Sequence, residues 1–240
     1  MSMKVALELK QVNFAFSQQS KVFFQNLTSR FPAGALHFIR GQNGAGKSTF
    51  FNILRGVLHP QEYISGAIVI DGVEYTFDNN NRDALSSLQN DIKLVQQNFD
   101  LMLADQLTFE ENLRVARLNE YPGLTPLPHL QKLPVFVERF GIPKQKQVYM
   151  LSGGQRQMLA VLMALQKPTK VLLLDEPTAA LDAHNAKMIM EFLRSLVGES
   201  NLTVLIISHD LELIEQYAKN RYYQITIDPE TNARSMHLVE

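Results

Sequence analysis

The run GQNGAGKST, Gly41 to Thr49, limits the possible folds of this chain more than any other segment. It directly follows the apolar run LHFI and directly precedes a pattern of apolar residues at helical spacing. A glycine-rich turn between a buried strand and a helix, ending in lysine and serine, matches the Gly-x4-Gly-Lys-Ser phosphate loop. Its glycines let backbone N–H groups surround phosphates, Lys47 adds a positive charge, and the Ser48 hydroxyl can ligate Mg²⁺. The residues of this phosphate loop are Gly41, Gln42, Asn43, Gly44, Ala45, Gly46, Lys47, Ser48 and Thr49.

Short β-branched or leucine-rich runs alternate with helical patterns, which indicates an α/β fold with a mostly parallel, buried sheet. The predicted strands are Leu36–Arg40, Ile92–Val95, Val171–Leu174 and Thr203–Ile207. The predicted helices, which we expect to cover the sheet, are Lys47–Val57, Gln155–Gln166, Ala183–Val197 and Leu211–Ala218. The N-terminal runs KVALELKQVNFAF and GAIVIDG also alternate, and they predict an antiparallel β portion joined to the parallel one.

The strand pattern stops between about Asp100 and Met150. In that region TFEENLRVARL begins with Thr108 and Glu111 in the spacing of a capping box, and Leu133–Phe140 is a further predicted helix. We therefore expect a single domain with a helical insertion. Its predicted parts are an α/β core at about 1–97 and 153–240 and a helical subdomain at about 98–152.

Composition narrows the class of protein. The chain has 240 residues, 45% of them hydrophobic, so it can bury a core of its own. It has 23 Lys and Arg against 24 Asp and Glu, so no whole-chain charge attracts it to nucleic acid or anionic lipid. The absence of cysteine excludes disulfides and thiolate sites and suits a reducing compartment. Because no apolar run is long enough for a membrane span and the N-terminus lacks a signal core, we expect a cytoplasmic protein.

Two further strand ends carry polar residues suited to phosphate chemistry. The run KVLLLDEP ends in Asp175 and Glu176, and TVLIISHD places His209 after another strand. Ligands bind where the carboxyl ends of parallel strands meet, so these side chains are predicted to lie near the phosphate loop. One carboxylate at a metal ion, a second beside an attacking water and an imidazole at the terminal phosphate form a hydrolytic arrangement. Solvated turn acids and a surface histidine are the structural alternatives.

The run LSGGQ precedes a predicted helix and contains two adjacent glycines. Ser152 and Gln155 fit a capping box. Capping does not account for Gly153 and Gly154, since glycine costs about 1 kcal/mol relative to alanine within a helix. Bare glycines at a helix N-terminus let an anion approach the backbone N–H groups, so this run indicates a phosphate without showing which molecule carries it.

Taken in order, GQNGAGKST, LSGGQ, VLLLDEP, AALD and SHD resemble the motifs of the ATP-binding cassette ATPases, and the resemblance covers nearly the whole chain. It implies a P-loop NTPase fold with ATP and Mg²⁺ as cofactors. It also implies a head-to-tail dimer with a second copy of the chain. In such a dimer, LSGGQ of one subunit closes over ATP held by the phosphate loop of the other, and the bare glycines receive the neighbour's ATP.

The resemblance implies metal-binding and catalytic roles for matching residues. Ser48 and Gln97 would hold Mg²⁺, and Asp175 would reach it mainly through water. Glu176 would be the general base, and His209 would contact the γ-phosphate and act in catalysis together with Gln97.

Other roles implied by the resemblance involve the dimer. Asp182 of AALD would link the two active sites. The residues of the LSGGQ run that would act in trans are Ser152, Gly153, Gly154 and Gln155.

Three positions leave alternatives open. Phe16 would stack on adenine where the family often has tyrosine, although a phenylalanine of the core or of an edge strand, like Phe14, explains it too. Ala180 stands where serine is frequent, which removes one hydrogen bond across the dimer. LVQQN offers two glutamines; spacing favours Gln97, and Gln96 is the alternative.

The resemblance predicts an ATP-hydrolysing subunit that powers separate integral-membrane permease subunits from the inner face of the membrane. The stretch from LSGGQ to FLRSLV resembles a branch associated with binding-protein-dependent permeases, which favours uptake of a small solute and makes a substrate-binding protein a further partner. The segment Gln97–Glu111 suits docking of a permease helix because methionine adapts to irregular partners, with plain core packing as the alternative. An exporter subunit and a soluble ATP-driven machine are the alternatives in function. Nucleic acid is not an expected partner.

Overall fold

A mixed β-sheet organises the part of the chain that we describe, residues 4–77, 83–118, 140–141, 143–200 and 202–240 of a computed structural model. Its strands are β1 (Val5–Ala15), β2 (Phe24–Pro32), β3 (Leu36–Gly41), β4 (Tyr63–Ile70), β5 (Val73–Phe77), β6 (Ile92–Val95), β7 (Val171–Asp175), β8 (Thr203–Ile207), β9 (Tyr222–Ile227) and β10 (Arg234–Val239). Their order across the sheet is β5-β4-β1-β2-β10-β9-β3-β8-β7-β6.

The parallel half of the sheet consists of β6, β7, β8, β3 and β9. Strands β7 and β8 are buried on both faces except at Asp175, as expected for a parallel sheet covered by helices. The four predicted strands are confirmed. Strands β3 and β7 each run one residue further than predicted, to Gly41 and Asp175, so both end at residues predicted to bind nucleotide or metal.

The other half of the sheet is antiparallel. Strand β1 pairs with β2 and β4, and β4 pairs with β5, which confirms the predicted antiparallel portion. Strands β9 and β10 form a hairpin that the sequence pattern did not predict. This hairpin joins the two halves, because β9 pairs with β3 and β10 pairs with β2 at Arg234 and Phe24.

The helices of the described segments are α1 (Lys47–Leu54), α2 (Asp83–Asp91), α3 (Phe109–Ala116), α4 (Gly153–Ala164), α5 (Ala183–Ser200) and α6 (Leu211–Ala218). Helix α1 ends before the predicted Val57, because Arg55 is its C-cap and Gly56 has a positive φ of 65° that terminates the helical backbone. Helix α4 begins at Gly153 because Ser152 is its N-cap. None of the helices in the described segments is both long and apolar enough to cross a membrane.

The region between β6 and α4 contains the predicted capping box. The side chain of Thr108 accepts from the backbone N–H of Glu111, and the Glu111 carboxylate accepts from the N–H of Thr108, at the start of α3. The predicted helix Leu133–Phe140 lies outside the described residues except for Phe140. Among the described residues between 100 and 150 there is no strand, and one isolated bridge joins Thr108 to Gln147. The division of the chain into a core and a helical subdomain stays a prediction.

Two apolar clusters lie on opposite faces of the sheet. Alternate residues of β7 and β8 belong to each, with Leu172 in one cluster and Leu173 in the other. Helices α3 to α6 cover the first face, while α1, α2 and the antiparallel strands cover the second. Each fully buried apolar side chain contributes about 1.5–3 kcal/mol. This packing fixes the strand ends, and it therefore fixes the edge of the sheet at which the candidate site lies.

Candidate functional site

The phosphate loop leaves the carboxyl end of β3 and enters the first turn of α1. Gly44 and Gly46 have positive φ angles of 79° and 95°, a region that strains residues with a side chain. Helix α1 begins without a capping side chain and without an acidic residue in its first turn. The partial positive charge of its N-terminus is therefore available to an anion.

The side chain of Lys47 folds back onto the start of the phosphate loop. Its Nζ donates to the carbonyl oxygens of Gly41 at 2.9 Å and Gln42 at 3.2 Å. Burial lowers the pKa of Lys47, and the carboxylates of Glu176 and Asp175 act in the opposite direction. The lysine is thus already held where the loop can present its charge to a terminal phosphate.

One cleft of about 460 Å³ brings together residues of the phosphate loop, Gln97 and the two acids. The phosphate loop forms one wall, and the residues that follow β6 and β7 form the other. The lining residues are Phe23, Asn43, Gly44, Gly46, Lys47, Ser48, Thr49, Gln97, Asp175 and Glu176. We call this the phosphate cleft. Gln97 lines it and Gln96 does not, so the geometry favours the glutamine chosen from spacing.

Glu176 lies between two polar side chains at the edge of the parallel sheet. Its Oε2 is 3.4 Å from Nε2 of Gln97, and its Oε1 is 3.4 Å from Nε2 of His209. Strands β6, β7 and β8 are adjacent and parallel, so the three residues that follow them meet at one edge. Glu176 itself has a positive φ of 49°, and its N–H donates to the carbonyl of Ile207 at 3.0 Å. The backbone of Glu176 is therefore held in a conformation that is rare for glutamate.

The electrostatics of the cleft favour an added cation. Burial and the charge of Glu176 raise the pKa of Asp175, while Lys47 lowers it. The ionised form of Asp175 is therefore disfavoured in the free protein, even with an ammonium group nearby. A divalent cation close to this carboxylate would relieve the repulsion.

The donor atoms in the cleft fit Mg²⁺ bound together with phosphates. Within the described ranges there is no group of three or more His, Asp or Glu side chains that could hold a metal ion alone. Ser48, Gln97 and Asp175 instead place a hydroxyl, an amide and a carboxylate in one cleft. Mg²⁺ in nucleotide sites takes few protein ligands and completes its shell with phosphate oxygens and water.

Phe16 lies beside the phosphate cleft rather than in it. Its side chain is 45% exposed, and it lines a second cleft of about 330 Å³ with Phe14 of β1, Thr49 of α1 and residues that follow α1. Thr49 lines both clefts, so the two are neighbours. Phe16 is thus accessible beside the loop, whereas Phe14 is buried in the core. The position suits an adenine contact but leaves the role of Phe16 a prediction.

The LSGGQ run caps α4 in the way that its sequence predicts. The side chain of Ser152 accepts from the N–H of Gln155 at 3.2 Å, and Gln155 Oε1 accepts from the N–H of Ser152 at 3.1 Å. Packing within the same chain gives a second reason for glycine at position 154. A Cβ there would lie 2.6 Å from Oδ1 of Asn185 and 2.7 Å from the methyl of Met188. The packing of α4 against α5 therefore favours glycine at this position, independently of what else approaches it.

Comparison with known proteins gives the family of this chain. The family model described as ABC transporter matches residues 24–179, which include the phosphate loop, the LSGGQ run and the two acids. The chain belongs to the ABC transporter family.

Two curated relatives in this family are import proteins. The chain is 33% identical over 229 residues to the phosphonates import ATP-binding protein PhnC 1 of Ruegeria sp., covering 85% of this chain and 86% of the relative. It is 32% identical over 213 residues to the methionine import ATP-binding protein MetN of Vibrio cholerae, covering 87% of this chain and 59% of the relative. The chain thus spans 59% of the length of that methionine protein.

A solved structure confirms the ABC ATPase fold. The cbiO1 protein of Clostridium perfringens, part of the ABC transporter complex cbiONQ, matches with a TM-score of 0.74 and 26% identity. The match covers 96% of this chain and 87% of that protein. The fold class predicted from the sequence, a P-loop α/β fold, is confirmed.

In this ABC transporter family member, Asp182 lies at the start of α5 and not in the phosphate cleft. Its carboxylate accepts from the N–H of Asn185 at 2.8 Å and from the Asn185 side-chain amide at 2.7 Å. Oδ1 of Asn185 also lies 3.5 Å from the hydroxyl of Ser152. Asp182 and the LSGGQ run are therefore joined through Asn185 within one subunit. Ala180 is exposed nearby.

Three residues that the ABC fold brings to this region were not predicted from the sequence. They are Phe23 in the phosphate cleft, Arg234 over the ring of Phe23, and Asn185 beside Ser152. Phe23 and Arg234 carry no motif, and they meet only because β10 pairs with β2. The aromatic run VFF was the available signal for Phe23, and it did not indicate a contact with Arg234.

Proposed function

We propose that this chain is the ATP-binding and ATP-hydrolysing subunit of an ABC transporter. The observation that carries the proposal is the position of Glu176, which lies between Gln97 and His209 and faces the phosphate loop across one cleft. A carboxylate held there can accept a proton from a water that attacks a terminal phosphate. A protein that only binds nucleotide has no need of this second acid beside Asp175.

The other residues of the cleft divide the work of binding. The phosphate loop and Lys47 would bind the phosphates, and Ser48, Gln97 and Asp175 would hold Mg²⁺, which supplies charge neutralisation at the phosphates when bound. His209, with 44% of its side chain exposed, is free to turn from Glu176 towards the terminal phosphate. Glu176 would then act as general base and His209 as a hydrogen-bond donor.

We further propose that the site is completed by a second copy in head-to-tail orientation. Ser152 is exposed and does not line the phosphate cleft of its own chain. The N-terminus of α4, which begins at Gly153, offers an anion site, and no acidic side chain of its own first turn occupies it. A two-fold dimer would place Ser152, Gly153, Gly154 and Gln155 of each copy over the nucleotide of the other. Asp182, joined to Ser152 through Asn185, would lie at the same interface.

Exposed apolar side chains support a permease as partner. Leu101 is 79% exposed in the segment that follows Gln97, and Tyr149 and Met150 are exposed just before the LSGGQ run. An ion pair of 3.3 Å joins Asp100 to Arg156 of α4. A helix docked at Leu101 would therefore be linked to the glutamine at the cleft along the chain and to the LSGGQ helix through the Asp100–Arg156 ion pair. The location is then the inner face of the cell membrane.

The direction of transport is proposed from the relatives. Both named relatives are import proteins, for methionine and for phosphonates, so we propose uptake of a small solute with a substrate-binding protein as a further partner. The property that these two solutes share is their small size, and the proposal therefore names no particular solute.

The first experiment measures mass. Glu176→Gln protein is examined by size-exclusion chromatography with light scattering, with and without ATP and Mg²⁺, beside a phosphate-release assay. We expect Glu176→Gln to bind ATP, to lose hydrolysis and to accumulate as a dimer, because the nucleotide that holds the two copies together is no longer removed.

Glu215→Gln, an exposed carboxylate on α6, is the matched control and is expected to behave as the wild type. Adding Ser152→Arg to Glu176→Gln should prevent the dimer but leave ATP binding intact. Retention of full hydrolysis in Glu176→Gln would contradict the role of the general base.

A further inference from the structure

Phe23 presses on the phosphate loop from outside the known motifs. A Cβ built on Gly46 would lie 2.6 Å from Cε1 and 3.0 Å from Cζ of Phe23. The ring edge therefore contacts the residue that directly precedes Lys47. Because Phe23 also lines the phosphate cleft, its position affects both the loop and the space beside it.

Arg234 holds the ring of Phe23 from another side. Its guanidinium carbon lies 4.0 Å from the ring centroid, within the range of a cation–π interaction. The backbone N–H of Arg234 donates to the carbonyl of Phe23 at 2.8 Å, and Nη1 donates to the carbonyl of Asn232. The buried Nε of Arg234 has no hydrogen-bond partner among the described residues. The aromatic face is thus a main favourable contact of this guanidinium.

Aromatic rings connect this pair to the second cleft. The centroids of Phe16 and Phe23 are 4.7 Å apart with the rings at 69°, and those of Phe14 and Phe16 are 5.2 Å apart at 82°. These edge-to-face pairs lead from the phosphate cleft to the cleft lined by Phe16, and Thr49 is common to both. A nucleotide whose phosphates lie in the loop would extend its sugar and base along these rings.

We propose that Phe23 is a nucleotide-contacting residue, a second aromatic wall for the sugar and base, and that Arg234 is its positioning residue. The inference rests on the proposed nucleotide site. Arg234 limits the rotation of Phe23, so the ring is preorganised and less ordering is needed on binding. The phosphates are bound by other groups, so the pair contributes to the affinity for a nucleoside phosphate and not for inorganic phosphate chains.

The test compares ADP with tripolyphosphate, which lacks sugar and base, by isothermal titration calorimetry. Arg234→Met keeps an apolar chain over the ring but removes the cation, and we expect it to weaken ADP binding about fivefold. Phe23→Leu is expected to weaken it about tenfold, and the double variant no further, because Arg234 acts through Phe23. Tripolyphosphate affinity should stay unchanged in all three, and Arg234→Lys should restore part of the ADP affinity.

A control variant and the outcomes that would contradict the proposal complete the test. Arg30→Met, on the adjacent strand β2 and ion-paired with Glu8, should leave both ligands unaffected. An equal loss of tripolyphosphate affinity would mean that Arg234 only supports the loop, and an unchanged ADP affinity would remove the role of the pair. If the wild type binds neither ligand, the proposed function fails and not this inference alone.

A second measurement does not depend on the Leu variant folding. The chain has no tryptophan and seven tyrosines, so Phe23→Trp adds a single tryptophan whose emission can be excited apart from that of the tyrosines, while keeping an aromatic ring. We expect ADP to change its emission and tripolyphosphate to leave it almost unchanged. Bound ADP with unaltered emission would overturn the contact.

Discussion

We expect the ionised carboxylate of Asp175 to destabilise the folded protein. Burial and Glu176 raise its pKa, so the folded chain keeps this proton to a higher pH than the unfolded chain, and stability falls as pH rises between the two pKa values. We expect Asp175→Asn to unfold at a higher urea concentration than the wild type at about pH 7.5, with the gap shrinking towards about pH 4. ATP hydrolysis should fall about a hundredfold or more in the same variant.

Asp182 provides a matched control, because its pKa is shifted in the opposite direction to that of Asp175. Hydrogen bonds from Asn185 lower the pKa of Asp182, so its stabilising effect is present above its ordinary pKa and is lost as pH falls through the lowered value. Asp182→Asn should therefore unfold at a lower urea concentration than the wild type at neutral pH. The two variants remove the same charge, so equal shifts in one direction would point to net charge and exclude these local causes.

At the scale of residues, the sequence predicted the parts of the site that are local. The phosphate loop, Asp175, Glu176 and His209 follow strand ends, and parallel pairing brings such ends together. Phe23 and Arg234 could not be predicted, because their contact depends on pairing between β2 and β10 from distant parts of the chain. The roles assigned to the site residues stay predictions that the variants above test.

At the scale of elements, the contact between α4 and α5 explains Gly154. An added Cβ would meet Asn185 and Met188, and Asn185 is held by Asp182, so it cannot easily move. Overpacking outweighs the gain in helix propensity, and we expect Gly154→Ala to lower the free energy of unfolding by about 1 kcal/mol. Urea denaturation measures this change.

Gly198 is the comparison within the same pair of helices. It lies exposed in α5, and a Cβ there would meet nothing within 4 Å. Gly198→Ala should therefore raise the free energy of unfolding by about 0.5–1 kcal/mol. A stabilised Gly154→Ala would show that the helices relax apart, and the glycine would then need the neighbour's nucleotide as its explanation.

The sequence predicted the elements that have a clear local pattern of apolar residues. The four predicted parallel strands are short and mostly apolar, and their bounds agree with the prediction within one residue. The hairpin β9–β10 was missed because its residues alternate between buried, intermediate and exposed without a clear apolar run. Its stability comes from pairing with β3 and β2, which no local pattern reports.

At the scale of the whole molecule, the separation of Ser152 from the phosphate cleft leads to a complementation test. Lys47→Ala disables the phosphate loop and Ser152→Arg blocks the LSGGQ run, so neither variant alone should hydrolyse ATP. In a two-fold dimer, a mixed pair combines the intact loop of one copy with the intact run of the other. Mixing equal amounts should therefore restore activity to at most about a quarter of the wild type, since half of the dimers are mixed and each has one complete site.

The recovered rate should depend on the mixing ratio and reach its maximum at equal amounts, as phosphate release across a titration would show. A mixture of Lys47→Ala with Glu176→Gln is the control, because both changes affect the cleft within one subunit and no mixed pair contains a complete site. Recovery in that control would mean that subunits exchange intact segments or that wild-type protein contaminates the samples. Formation of mixed dimers without recovery would show that one complete site is not enough, or that Ser152 does not serve the neighbour. A Ser152→Arg dimer that keeps hydrolysing alone would decide for the latter.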